Sequence, residues 1–258
     1  MTSSRSTGNT YQRKVALAGG LGLLFIALLS PFAFYGVIQT MIVPADAVAT
    51  VTNLMASEGL YRAAIAALLV VVMLDVIVAW ALYGLLRSAS ETLAQLVAWL
   101  RVAYAGVFAI AIASLVNALH LATGPVDAAI QSSAQLAIQT AASIDSFTTV
   151  WDVGLAIFGL HLAGLGILLF KFAHAPNLLG VLVSLAGVGY LGDSFGKILV
   201  PDYALTISIV TFVGEALLML WLLWRAFKGF PANAGGIAGP DAKATAVLEV
   251  APAPIGAR

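Results

Sequence analysis

Six ionisable residues stand inside apolar runs where hydrocarbon is expected: Asp75, Arg101, His161, Asp193, Lys197 and Glu215. Charge at such depth is expensive, so each one calls for a partner, a proton or a function. At about 1.5 Å of rise per helical residue, Asp75 falls at the centre of its run, as do His161 and, within about a residue, Glu215. Three helices thereby bring a titratable group to one level. Arg101 lies about 10 Å to one side of its run's centre and Asp193 about 7 Å to the other side of its own.

Their charges constrain what they can do together. Asp193 and Lys197 are four residues apart on one helix face and are expected to pair. Arg101 can reach either Asp75 or Glu215 by bending toward the middle, which leaves one carboxylate over. A spare buried acid holds a proton or touches water, as in a proton-accepting site or an inert hydrogen-bonded acid. Asp75, His161 and Glu215 are therefore candidate proton sites, and Arg101, Asp193 and Lys197 candidate ion-pair residues that hold geometry. Tyr104, Asn117, His120 and Tyr190 are candidates for the rim of a cavity. Each has a plainer reading: Arg101 and its partner as a lock between helices, His161 as a neutral cross-helix bond, Asn117 and His120 as a cap.

Composition supports a bilayer setting. Of 258 residues, 61% are hydrophobic and 9% charged, with a mean hydropathy of +1.01; a soluble domain carries about 25% charged residues. Twelve basic and twelve acidic residues cancel, and no basic stripe with interleaved aromatics argues for nucleic acid. The chain has no cysteine and three histidines, so neither disulfides, thiol chemistry nor a metal site is expected, and no cofactor is implied.

The predicted fold is all-α: a polytopic integral membrane protein of six transmembrane helices at about 15–42, 61–86, 93–122, 150–172, 178–200 and 203–224 within a domain spanning 15–229. Residues 1–14 read as a disordered lead and 230–258, rich in Pro, Gly and Ala, as a disordered tail. Pro31 predicts a kink in the first span. Pro44 and Asp46 suit the start of a short surface helix that Gly59 would stop. Thr123 to Thr149, mixing Gln, Ser and Ala, reads as a separate helix on the outer surface. Arg13, Lys14, Arg87, Lys171, Arg225 and Lys228 flank span ends on one face, against Arg62 and Lys197 on the other. The termini are therefore expected in the cytoplasm.

Other patterns mislead. GVGYLG, from Gly187 to Gly192, matches a dinucleotide fingerprint but follows no strand. Gly192 and Gly196 form a G-x-x-x-G pair that would admit another helix, with a second copy of the chain as one partner beside the lipid bilayer.

The stretches LDVIVAWALYGLLR around Asp75, AWLRVAYA around Arg101, FGLHLAGLGILLFKFAHAPNLLGVLVSLAGVGYLGDSF from Phe158 to Phe195 and GEALLMLWLL around Glu215 resemble the DUF4386 family of bacterial six-span membrane proteins, a domain of unknown function. The resemblance covers about Lys14 to Lys228 and implies a multi-pass protein of the bacterial inner membrane, without supplying an activity. Three functions fit the residues: a proton-linked small-solute transporter or permease, an intramembrane enzyme on a lipid-like substrate with His161 as base, and a non-catalytic assembly or sensor subunit.

Overall fold

In a computed structural model, residues 2–124, 132–205, 207 and 212–231 are described, with side chains from Asn9 onward. Among them are helices and no strand. The order is α1 (Thr2–Ala33), a π-helical turn (Phe34–Ile38), α2 (Gln39–Met41), α3 (Ala47–Ala56), α4 (Glu58–Leu86), α5 (Glu91–Thr123), α6 (Ser133–Lys171), α7 (Asn177–Leu199) and α8 (Val213–Lys228). Among the described residues five continuous helical stretches are long and apolar enough to cross a membrane: Asn9–Met41, Glu58–Leu86, Glu91–Thr123, Ser133–Lys171 and Asn177–Leu199.

Local chemistry explains most of the boundaries. Pro31 cannot donate to the helical ladder, and the chain continues past it by widening into the π turn rather than breaking. Asp46 caps α3 as expected, its Oδ1 accepting from Ala49 N at 2.8 Å. Gly59 does not stop that helix. Ala56 ends it, Ser57 makes the corner, and Gly59 stands in the first turn of α4, where a Cβ would meet open space.

Three further differences from the sequence expectation matter. Helix α1 already runs through residues expected as a non-helical lead. The outer helix expected to end at Thr149 does not end there: α6 carries it straight into the span for 39 residues, because nothing between Ser133 and Lys171 breaks a helix. The sixth expected span is described only in part, with residues 203–205 non-helical and α8 beginning at Val213. Glu215 consequently lies in the first turn of α8 rather than mid-helix. The expected tail lies outside the described residues from 232 on.

The long helices form a closed ring: α1 packs on α4, α4 on α5, α5 on α6, α6 on α7, α7 on α8, and α8 returns to α1. Leu68, Phe108, Leu115, Phe147 and Leu162 fill its interior, while Met73, Ile110, Leu178 and Phe227 face outward. An apolar exterior of this extent suits lipid rather than water.

The ring is fastened at one end. Gly229 turns with a φ of +80°, which a glycine adopts without strain. Phe230 is thereby swung back, where its N–H donates to Asn9 Oδ1 at 3.2 Å and its carbonyl accepts from Asn9 Nδ2 at 3.3 Å. Arg13 Nε donates to the carbonyl of Ala226 at 2.9 Å, satisfying the last turn of α8. His174, in the turn after α6, packs its ring against Phe172 and Phe230.

Burial, reinforced by the nearby Arg225 guanidinium and only partly offset by the Pro231 carbonyl, holds the His174 imidazole below its usual range. The unfolded chain therefore binds more protons at this site than the folded one. The stabilising contribution is complete above the ordinary imidazole value of about 6.5 and is lost as pH falls below it. The wild-type melting temperature should accordingly drop between about pH 7.5 and pH 5, and a His174→Phe variant should drop less. Equal slopes in the two proteins would contradict this assignment.

Candidate functional site

At the centre of the ring, α4, α5 and α6 converge on Arg101, whose side chain is among the largest that the fold buries completely. Its Nη2 donates to Asp75 Oδ1 at 2.6 Å, with both groups at most 3% exposed. A charge-assisted bond this short, in so dry a setting, ties α4 to α5 and gives each group the partner that its burial demands. Nη1 of the same guanidinium stands 3.3 Å from His161 Nε2.

The tautomer of His161 follows from its other nitrogen. Nδ1 lies 2.8 Å from the carbonyl of Val97, which can only accept, so Nδ1 carries the proton. Nε2 then offers its lone pair to Arg101. Arg101 is thus held by a carboxylate on α4 and a neutral imidazole on α6, and the imidazole is braced by the backbone one turn before Arg101 itself.

Aromatic rings close the site. Phe158, three residues before His161, lies under the guanidinium at 5.4 Å and beside the imidazole at 5.6 Å. Tyr104 packs on Phe158, and its hydroxyl accepts from Trp151 Nε1 at 3.1 Å. Tyr190 meets Phe158 edge-on and turns its hydroxyl toward Glu215. The Glu215 carboxylate also lies within the electrostatic reach of Arg101 and Asp75. Among the described residues its Oε1 is buried without a hydrogen-bond partner, as is Nε of Arg101.

The three helices thus bring Asp75, Arg101 and His161 into direct contact, with Glu215, Tyr104 and Tyr190 around them. The other candidates lie elsewhere. Asn117 Nδ2 donates to Ser143 Oγ at 2.9 Å on the rim between α5 and α6, and His120 is exposed one turn further along. The expected pairing of Asp193 with Lys197 does not form. Lys197 Nζ reaches across to Asp152 Oδ1 on α6 at 2.7 Å, while Asp193 Oδ1 accepts from the Tyr203 hydroxyl at 2.8 Å and from Ile207 N at 2.9 Å. The inter-helix ion pair wins because Asp193 points toward the segment after Pro201. That segment also covers the G-x-x-x-G face: a side chain added at Gly196 would strike the Tyr203 ring, and one at Gly192 would meet Ile207.

Sequence spacing misses Phe158, Trp151 and the Val97 carbonyl as members of the site. An aromatic three residues before a buried histidine is the signal that could have found Phe158. Val97 contributes only backbone, which no side-chain pattern reports.

The sequence profile of DUF4386, a domain of unknown function, matches residues 18–226, a stretch that contains every member of this cluster. The chain belongs to the DUF4386 family. An uncharacterized protein of Archaeoglobus fulgidus is 30% identical over 164 residues, covering 64% of this chain and 84% of the relative. No solved structure matches the chain.

Proposed function

We propose that this DUF4386 protein is a six-span integral membrane protein with cytoplasmic termini that moves a small solute in step with protons, Glu215 being the residue that exchanges them. The single observation that carries this reading is the Glu215 carboxylate, with Oε1 buried and unpartnered beside an ion pair that is already neutral. A protonated Glu215 leaves the core uncharged overall. A deprotonated one adds a negative charge that the Tyr190 hydroxyl and the field of Arg101 can offset only in part. A buried acid whose charge would change the balance of the whole core is what a coupling site needs. The basic residues gathered at the fastened end of the ring support the topology, and the packing of α8 between α7 and α1 supports its serving as the sixth crossing. A bacterial inner membrane is the compartment this reading favours.

The competing enzyme reading loses ground at His161, which is wholly buried with both nitrogens engaged. A purely structural role is favoured by one observation, the engagement of both terminal nitrogens of Arg101. Infrared titration in liposomes separates that role from coupling. The wild type should show a carbonyl stretch of a protonated carboxylic acid that disappears on alkalinisation, and Glu215→Gln should abolish it along with acid-driven dye quenching while melting normally. An unchanged band in Glu215→Gln would end the proposal.

A further inference from the structure

At the fastened end of the ring, away from the charged core, a cavity of about 110 Å³ opens between Gln12 of α1, Ser88 of the α4–α5 turn, and Lys171, Phe172 and His174 at the end of α6. Its chemistry is that of an anion site. Lys171 brings a cation on a flexible stem, and Gln12 and Ser88 add an amide and a hydroxyl that can donate. His174 lines the cavity at only 9% exposed, and among the described residues neither ring nitrogen makes a hydrogen bond of good geometry, the Pro231 carbonyl being the one acceptor close enough to act on the ring. Arg225 cannot fill that gap, because its Nη2 is committed to the His174 carbonyl at 2.8 Å. A buried imidazole without a well-formed hydrogen bond among the described residues, at the wall of an open polar cavity, has room for a further partner.

The surroundings set the sign of that partner. Arg13, Lys14, Arg87, Arg225 and Lys228 ring this end of the bundle, and Glu91 at the start of α5 is the sole acid in the described segments there. A cation would be repelled, and the volume excludes anything much larger than one tetrahedral oxyanion with its first bonds.

We infer that this cavity binds a phosphate group, with Lys171 as its counter-ion and Ser88, Gln12 and His174 as its donors. The cavity opens where the basic ends of the helices meet the membrane surface, so the phosphate of a lipid headgroup reaches it from the bilayer and a soluble phosphate reaches it from water. Both present the same oxygens to the same donors.

The test uses the full chain in nanodiscs of phosphatidylcholine, with the His174 imidazole resonances as readout. Adding phosphatidic acid to the bilayer should shift them saturably, and Lys171→Gln should weaken the midpoint about fivefold, as loss of one basic contact at an anionic surface does. Lys171→Arg should retain it. Lys171 is exposed, so its variants keep the fold, which an unchanged melting temperature verifies. Saturation by inorganic phosphate alone, with the same sensitivity to Lys171→Gln, would also uphold the site and identify a soluble ligand. Absence of a shift with either probe, or equal midpoints in wild type and Lys171→Gln, would overturn it.

Discussion

Arg101→Leu should cost about 3–5 kcal/mol of stability, read from unfolding in detergent, because it strands the Asp75 carboxylate in the dry centre of the ring. The loss comes from the charge left behind more than from the bond itself, since the pair repays little beyond its own desolvation. Asp75→Leu should do comparable damage from the other side, leaving the guanidinium hydrogen-bonded to the His161 lone pair alone, beside the Phe158 ring and the more distant Glu215 carboxylate. The double variant Asp75→Leu/Arg101→Leu should then recover most of what either single change loses, as buried ion pairs replaced by apolar groups of similar volume commonly do. Should the double variant be no more stable than the singles, the pair is not the unit that holds α4 to α5. His161 makes a sharper check of geometry: His161→Phe removes the acceptor of Arg101 Nη1 yet leaves the ion pair, so it should fall between wild type and Arg101→Leu.

Gly187→Leu should be among the most damaging changes available at a residue without a side chain, at about 1–3 kcal/mol or more. Helices α6 and α7 run antiparallel with backbones in contact. A Cβ on Gly187 would stand 2.5 Å from the amide nitrogen of Ala163 and the carbonyl oxygen of Gly159, and one on Gly159 would stand 2.8 Å from the carbonyl oxygen of Gly187. A second pair repeats the arrangement, with a Cβ on Gly166 at 2.7 Å from the carbonyl oxygen of Gly180. Backbone cannot rotate out of the way as a side chain can, so a larger residue must separate the helices. Gly106→Ala is the control. Its added Cβ would meet nothing within 4 Å, and helix propensity predicts a neutral or slightly stabilising effect. Similar losses at Gly187 and Gly106 would show that the seam is not tightly packed.

How far the sequence discloses this molecule depends on whether a feature is local or relational. Apolar run length fixes α4, α5 and α7 to within a few residues, because a bilayer-sized helix leaves its own signature. The cap at Asp46 is equally local. The fusion of the outer helix into α6 escapes, since Gln, Ser and Ala continue a helix as readily as they form a separate one. Depth counting brings Asp75 and His161 to one level and lets Arg101 reach Asp75 by bending toward the middle, and its long side chain covers that offset as expected. The partner of Lys197 is misread for a related reason: spacing sees candidates on the same helix and is blind to Asp152 on the next. The same blindness applies to glycine. Gly192 and Gly196 have the familiar spacing, yet the real seam pairs Gly159 with Gly187 and Gly166 with Gly180, two heptad-spaced pairs that only become a pattern once the antiparallel register is known.

The bonds between Asn9 and Phe230 bear on how the chain is assembled. Helix α1 leaves the ribosome first, but one of its two neighbours in the ring is α8, which leaves last. Until α8 arrives, α1 can lean only on α4, and its remaining small residues, including Gly20 against Leu223, face lipid. The charged core has no such delay, because α4, α5 and α6 are consecutive and can sequester Asp75, Arg101 and His161 as they emerge. Biogenesis therefore pairs Asp75 with Arg101 and His161 early and leaves for the final step the arrival of Glu215 on α8, together with a closure made by Gly20 against Leu223 and by the Arg13 and Asn9 side chains on the end of α8 and Phe230.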